Sequence, residues 1–176
     1  MRVVMFDIGG VVLTNGWDRV ERATLAREFG LDPADFEARH WEYADDLEAL
    51  RIEAGLARFG ADMDAERLPM EAGLTRQAIH FGKGCYIGQE VVLRATVRGH
   101  LQKGLVQLAL PPGAGPGARL LAAGQEVGWV TSAAETTQGR LGLGYLRRAH
   151  WKEGERLATE GGEAVVRRMV VEEGTC

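Results

Sequence analysis

"LQKGLVQLALPPGAGPGARLLAAGQEVGWVTSA", residues 101–133, alternates short apolar runs with clusters of glycine and proline. The pattern repeats downstream in "RLGLGYLRR" (140–148), "ERLAT" (155–159) and "EAVVRRMVVEE" (163–173). Runs of this length, rich in Val and Leu and bounded by breakers, read as strands. "PPGAGPG" and "AAGQ" read as turns, because Pro presets φ and Gly tolerates positive φ. Six strands at short intervals, with no helix between them, predict a small antiparallel barrel or sandwich.

Upstream the texture changes. "RVVMF" (2–6) is a continuous apolar run, which suits a strand buried on both faces. "WDRVERATLAREFG" (17–30) predicts a helix, with Asp18 and Glu21 as a capping box and Gly30 at its end. Val20, Leu25 and Phe29 form its expected apolar side. A second helix is expected from Asp32, with Pro33 at its first position, to about Gly55. Phe36, His40, Tyr43 and Leu47 mark its stripe. "LARFGADMDAERLPMEAGL" (56–74) reads as loop. The fold class is therefore α+β: an N-terminal strand–helix–helix fragment, a short mixed segment and a C-terminal small antiparallel β-barrel.

A chain of 176 residues suits one domain or two small ones. A net charge of −4 argues against a nucleic-acid partner. No apolar run approaches the roughly 18–20 residues of a membrane span, so no membrane role is expected. The opening run has no cleavage-type site after it, which points to a cytoplasmic protein. Cys85 and Cys176 are too few and too far apart for a disulfide framework. Charge is uneven: residues 1–48 carry 5 Lys/Arg against 11 Asp/Glu, a net of −6, while the remainder is net +2.

Asp7 ends the first strand and precedes "IGG". A carboxylate there is a natural nucleophile, and equally a natural turn residue. "VVMFDIGGVVLTNGWDRV" with "EFGLDPADFEARH" resembles the opening of the haloacid dehalogenase-like hydrolases. The resemblance covers residues 1–48 and implies Asp7 as nucleophile with Mg²⁺ as cofactor. Gly9 stands where many such phosphatases carry a second Asp. No strand followed by metal-binding acids is found after residue 48, and phosphoryl transfer needs that charge neutralisation.

"KGCYIGQE" (83–90) holds one thiol beside a cation in a glycine-bounded turn. A zinc site needs about four ligands, and His80 with Cys85 supplies two, so no metal is expected. A phosphate loop needs Lys followed by Ser or Thr after its glycines. Two readings remain: a buried structural Cys, or a thiolate activated by Lys83 and the start of a helix at "GQEVVLRAT".

This octapeptide resembles the signature of the YgfZ-type, folate-binding relatives of the glycine-cleavage T-protein. "ALRIEAGLARFGADMD", "LPMEAGL", "RGHLQKGLVQL" and "GWVTSAAETTQGRLGLGYLRR" resemble its flanking segments. The resemblance implies a tetrahydrofolate-binding accessory protein for assembly or repair of iron–sulfur clusters, linked to tRNA modification. It implies folate and iron–sulfur client proteins as partners, and a non-catalytic relative of the aminomethyltransferases. Cys85 is then the functional thiol. Lys83, Tyr86, Gln89 and Glu90 are signature positions, with Glu71 and Arg58 near the folate pocket. Without function, Glu71 is a turn cap, Arg58 and Asp62 are a surface pair, and Glu90 and Arg94 are a helix pair. Three segments are expected: a dehalogenase-like opening (1–48), the end of a folate-binding domain (49–100) and the barrel (101–176). The first 48 residues are too few to bury a core alone and are expected to pack worst.

Overall fold

A computed structural model describes residues 19–80, Glu90, Val92 and 100–171. The expected first strand, Asp7 and the cap at Asp18 lie outside these residues. Helices precede a closed six-stranded barrel. They are α1 (Arg19–Glu28), α2 (Pro33–Glu42), α3 (Ala44–Ala54) and the single turn α4 (Thr75–Ala78). The strands are β1 (Lys103–Ala109), β2 (Arg119–Ala122), β3 (Gln125–Thr136), β4 (Gly139–Arg147), β5 (Arg156–Thr159) and β6 (Gly162–Met169). All six fall on the expected runs.

Every pairing is antiparallel, in the order β1-β4-β3-β2-β5-β6, and β6 returns to β1 to close the barrel. The β2–β3 hairpin turns on Ala123 and Gly124, at φ 49° and 78°. Two successive positive φ values match the twist of the strands they join.

The barrel wall is buried on both sides at β1 and β4. Val106, Leu108, Leu120, Val130, Leu146, Leu157 and Val166 fill the interior. Leu105, Leu141, Leu143 and Tyr145 form a second cluster with Ile52 of α3. β4 explains how. In "LGLGY" (141–145) the large residues join the outer cluster and the glycines take the opposite face. A Cβ on Gly142 would meet Leu110 Cδ1 at 2.5 Å, and one on Gly144 would meet Leu108 Cδ1 at 3.1 Å. The interior is filled by leucines from neighbouring segments, so glycine is what fits there.

The helices depart from expectation in two ways. The expected single helix is broken at Tyr43 (φ −105°, ψ 11°) into α2 and α3. No Gly or Pro marks this break. Much of the apolar stripes also faces water, with Leu25, Phe36 and His40 half-buried. Val20 is 72% exposed and Phe29 66%, while α1 buries Arg22 and Ala26. Tyr43 and Leu47 are exposed too, and α2 buries no residue. An ion pair replaces the apolar contact between these helices. Arg22 donates from Nε and Nη2 to Glu37 Oε2 and Oε1, at 2.8 and 2.7 Å. That guanidinium holds the Glu37 carboxyl down at about 2. Asp32 caps α2 as expected, accepting from the N–H groups of Ala34 and Asp35.

α3 is tied to the barrel through its C-terminus. Gly55 takes the left-handed conformation that ends the helix (φ 73°). The last carbonyls of a helix lack intrahelical partners. Here Gln107 Nε2 donates to Ile52 O at 2.6 Å, and Arg168 Nη2 to Glu53 O at 2.8 Å. Two strands, β1 and β6, thus bind the end of one helix.

Gly128 in β3 permits the closest approach in the sheet: a Cβ there would lie 2.0 Å from Tyr145 O. Gly128→Ala is expected to lower stability by about 2–3 kcal/mol, the upper range for overpacking, as read by urea denaturation. An unchanged midpoint would mean that β3 and β4 separate at little cost.

Candidate functional site

The loop from Leu56 to Leu74 crosses the outer face of β3 and β4, and Asp62 fixes it there. The Asp62 side chain is fully buried. Its Oδ2 accepts from Arg51 Nη1 at 2.5 Å and from the Arg58 backbone N–H at 3.0 Å. Its Oδ1 accepts from Thr131 Oγ1 at 2.5 Å and Ser132 Oγ at 2.7 Å. Helix, loop and barrel therefore meet on one carboxylate.

Adjacent residues of a regular strand point to opposite faces. Thr131 and Ser132 reach the same oxygen because the β3–β4 register shifts between Val130 and Ser132. A bulge of this kind re-aims side chains. Arg51 completes the charge balance. Burial works against its charge, but Glu48 and Asp62 raise its pKa above the ordinary value. The expected Arg58–Asp62 surface pair is not formed. The Arg58 guanidinium instead pairs with Glu48 at 3.0 Å, and its backbone serves Asp62.

Beside this hub lies a cleft of about 180 Å³, lined by the Gly60–Asp64 loop with Arg67, Trp129, Thr131 and Tyr145. Trp129 and Tyr145 are direct partners across β3 and β4, and their rings stack at 5.4 Å and 25°. The Arg67 guanidinium lies 5.2 Å from the Trp129 ring centre and 5.4 Å from that of Tyr145. Such contacts favour a cation over an aromatic face. The Tyr145 hydroxyl is buried and has no hydrogen-bond partner among the described residues. Burial pushes its pKa well above the ordinary phenol value, so it stays protonated and can donate.

Of the residues singled out from sequence, Glu71 lies in this neighbourhood. It is 8% exposed, and its charge acts on the Tyr145 phenol. Its backbone carbonyl accepts from Leu105 N–H at 2.8 Å, seating the loop on β1. No hydrogen bond to its carboxylate is found among the described residues, so the turn-cap alternative is not realised. Arg58 is on the loop surface. Glu90 is an exposed helical residue. Asp7, Lys83, Cys85, Tyr86 and Gln89 lie outside the described residues, as does Arg94. Among the described residues, no group of His, Cys, Asp and Glu is placed to hold a metal ion, and no helix is long and apolar enough to cross a membrane. Arg67, Trp129 and Tyr145 were not anticipated. The "GW" and "GY" dipeptides are the signal that marks the last two, since each aromatic follows a glycine at a close strand crossing.

Known proteins resemble this chain over most of its length. The glycine cleavage system aminomethyltransferase T from Bartonella henselae matches it with a TM-score of 0.60 at 25% identity, over 81% of this chain and 45% of that one. An aminomethyltransferase of Caldanaerobacter subterraneus subsp. tengcongensis is 30% identical over 134 residues, 74% of this chain and 33% of that protein. The tRNA-modifying protein YgfZ of Yersinia pestis is 39% identical over 82 residues, 46% of this chain and 23% of that protein. No family model matches. Over most of its length the chain is related to the family of aminomethyltransferases and YgfZ-type proteins. It spans about a third of the length of the curated aminomethyltransferases it matches. These comparisons lend the dehalogenase-like reading of residues 1–48 no support.

Asp62→Asn keeps the shape of the hub and removes its charge, leaving Arg51 short of one carboxylate. The expected loss is about 3 kcal/mol, measured by chemical denaturation. Tyr145→Phe removes a hydroxyl that the fold does not use. Its stability should match the parent or exceed it by up to about 1 kcal/mol, and a clear loss would reveal a hidden partner.

Proposed function

We propose that this chain is part of a tetrahydrofolate-binding accessory protein of YgfZ type, acting in the cytoplasm on behalf of iron–sulfur proteins, with a link to tRNA modification. The observation that carries this reading is the identity to YgfZ, 39% over 82 residues, against 29–30% over 134 residues for the aminomethyltransferases. The "KGCYIGQE" signature agrees with it. The longer match to aminomethyltransferases, and the solved structure of one, favour an amine-cleaving enzyme as the second reading.

Glu71 fits a folate. A nine-tenths buried carboxylate without a hydrogen-bond partner among the described residues suits the N–H donors on the edge of a pterin ring. Lys83, Tyr86, Gln89 and Glu90 would complete the site from the signature, and Arg58 would flank it. Cys85 would act as the functional thiol.

Calorimetric titration with tetrahydrofolate tests the reading. Saturable binding is expected, weakened about tenfold or more in Glu71→Gln by loss of a charge-assisted hydrogen bond. Heat changes no larger than those of buffer would defeat it. Release of ammonia from an aminomethyl donor in the presence of tetrahydrofolate would instead establish the enzyme.

A further inference from the structure

Three groups at the cleft on β3 and β4 have unspent capacity to bind. Arg67 holds its guanidinium over the Trp129 and Tyr145 rings, yet its side chain makes no hydrogen bond or ion pair among the described residues. Lys103 of β1, outside the cleft lining, places its ammonium 6.0 Å from the Trp129 ring centre, again with no acid partner among them. The Tyr145 hydroxyl, on a residue only 1% exposed, has no partner either. Phenylalanine would serve the packing of Tyr145 equally well, so the hydroxyl has no structural use among the described residues.

The acids at the cleft, Asp62, Asp64 and the neighbouring Glu71, form no ion pair with these cations among the described residues. Asp62 is matched by Arg51 and saturated by two hydroxyls and a backbone N–H. Asp64 Oδ1 accepts the Glu66 N–H at 2.9 Å within its own turn. The unmet groups around the indole face are a planar cationic donor, a second cation and a neutral donor, with the unpartnered Glu71 carboxylate acting on the phenol as well. An Arg fork binds a carboxylate by two parallel N–H···O bonds. An indole face takes a flat body by offset stacking.

We propose that this cleft is a binding site for a small aryl carboxylate. Its carboxylate is held by Arg67 and the Tyr145 hydroxyl, with Lys103 adding charge, and its ring lies against Trp129. A volume of about 180 Å³ admits a ligand of this size and falls below the roughly 300–1,000 Å³ of sites for drug-sized ligands. The cleft by itself is too small for a whole folate, and the proposal stands whether or not folate binds.

The test is ¹⁹F NMR of protein carrying 5-fluorotryptophan at its four Trp positions. The Trp129 signal is assigned by its loss in Trp129→Phe. Benzoate is expected to shift that signal saturably, and benzyl alcohol, a neutral analogue of similar size, is not. Arg67→Gln should weaken benzoate binding about tenfold or more, and Tyr145→Phe about three- to tenfold. The other Trp signals, unchanged in each variant, report that the fold is intact. Arg67→Lys keeps the charge and loses the fork, and is expected to restore part of the affinity. The proposal is overturned if benzoate leaves Trp129 unmoved, if benzyl alcohol acts equally, or if Arg67→Gln or Tyr145→Phe binds as tightly as the parent.

Discussion

The carboxylate of Asp62 is where the three parts of the molecule are joined. A loop of this length carries few apolar residues into the core and cannot hold its position by burial alone. Asp62 supplies what burial does not: it accepts from a helix guanidinium, from its own loop backbone and from two barrel hydroxyls. Such a group is costly to bury and tolerates no missing partner. Its geometry therefore selects one placement of the loop on the wall. The cleft, with Arg67 on one side and the Trp129–Tyr145 stack on the other, exists because that placement is unique.

The second fastening is at the same, C-terminal end of α3, one or two residues beyond Arg51. Gln107 and Arg168 take up the carbonyls that the helix leaves open, and Gly55 turns the chain out of the helix. Along its whole length α3 has a single buried residue, Ile52. Polar contacts thus orient this helix more than hydrophobic contact does. The same holds for α1 and α2, where the Arg22–Glu37 pair stands in the place of an apolar seam.

The strands were legible in the sequence because each is a short apolar run fenced by Gly or Pro, and that signal is local. Closure into a barrel was not, since the β1–β6 pairing joins Val106 to Met169, and a sandwich would show the same runs. The helix break at Tyr43 has no sequence marker. The helical stripes misled because a 3.6-residue period identifies an amphipathic face and not whether anything covers it. The loop's role was half legible. "RFGAD" placed Arg58 and Asp62 together, but the partners that bury Asp62 stand 69 and 70 residues later. A hydroxyl pair at 131–132 reads as ordinary strand until the bulge turns both toward one oxygen.

The alternation of leucine and glycine in β4 limits what this barrel can be. Leu108 and Leu110 crowd the inner face where Gly142 and Gly144 make room, so the lumen is solid. Larger barrels act as containers, and this one is a wall. Recognition has to take place on its outside, between side chains that the strands present and the segments laid across them. New specificities can therefore arise by changing the loop and the outward positions of β3 and β4, without disturbing the interior that holds the strands in register.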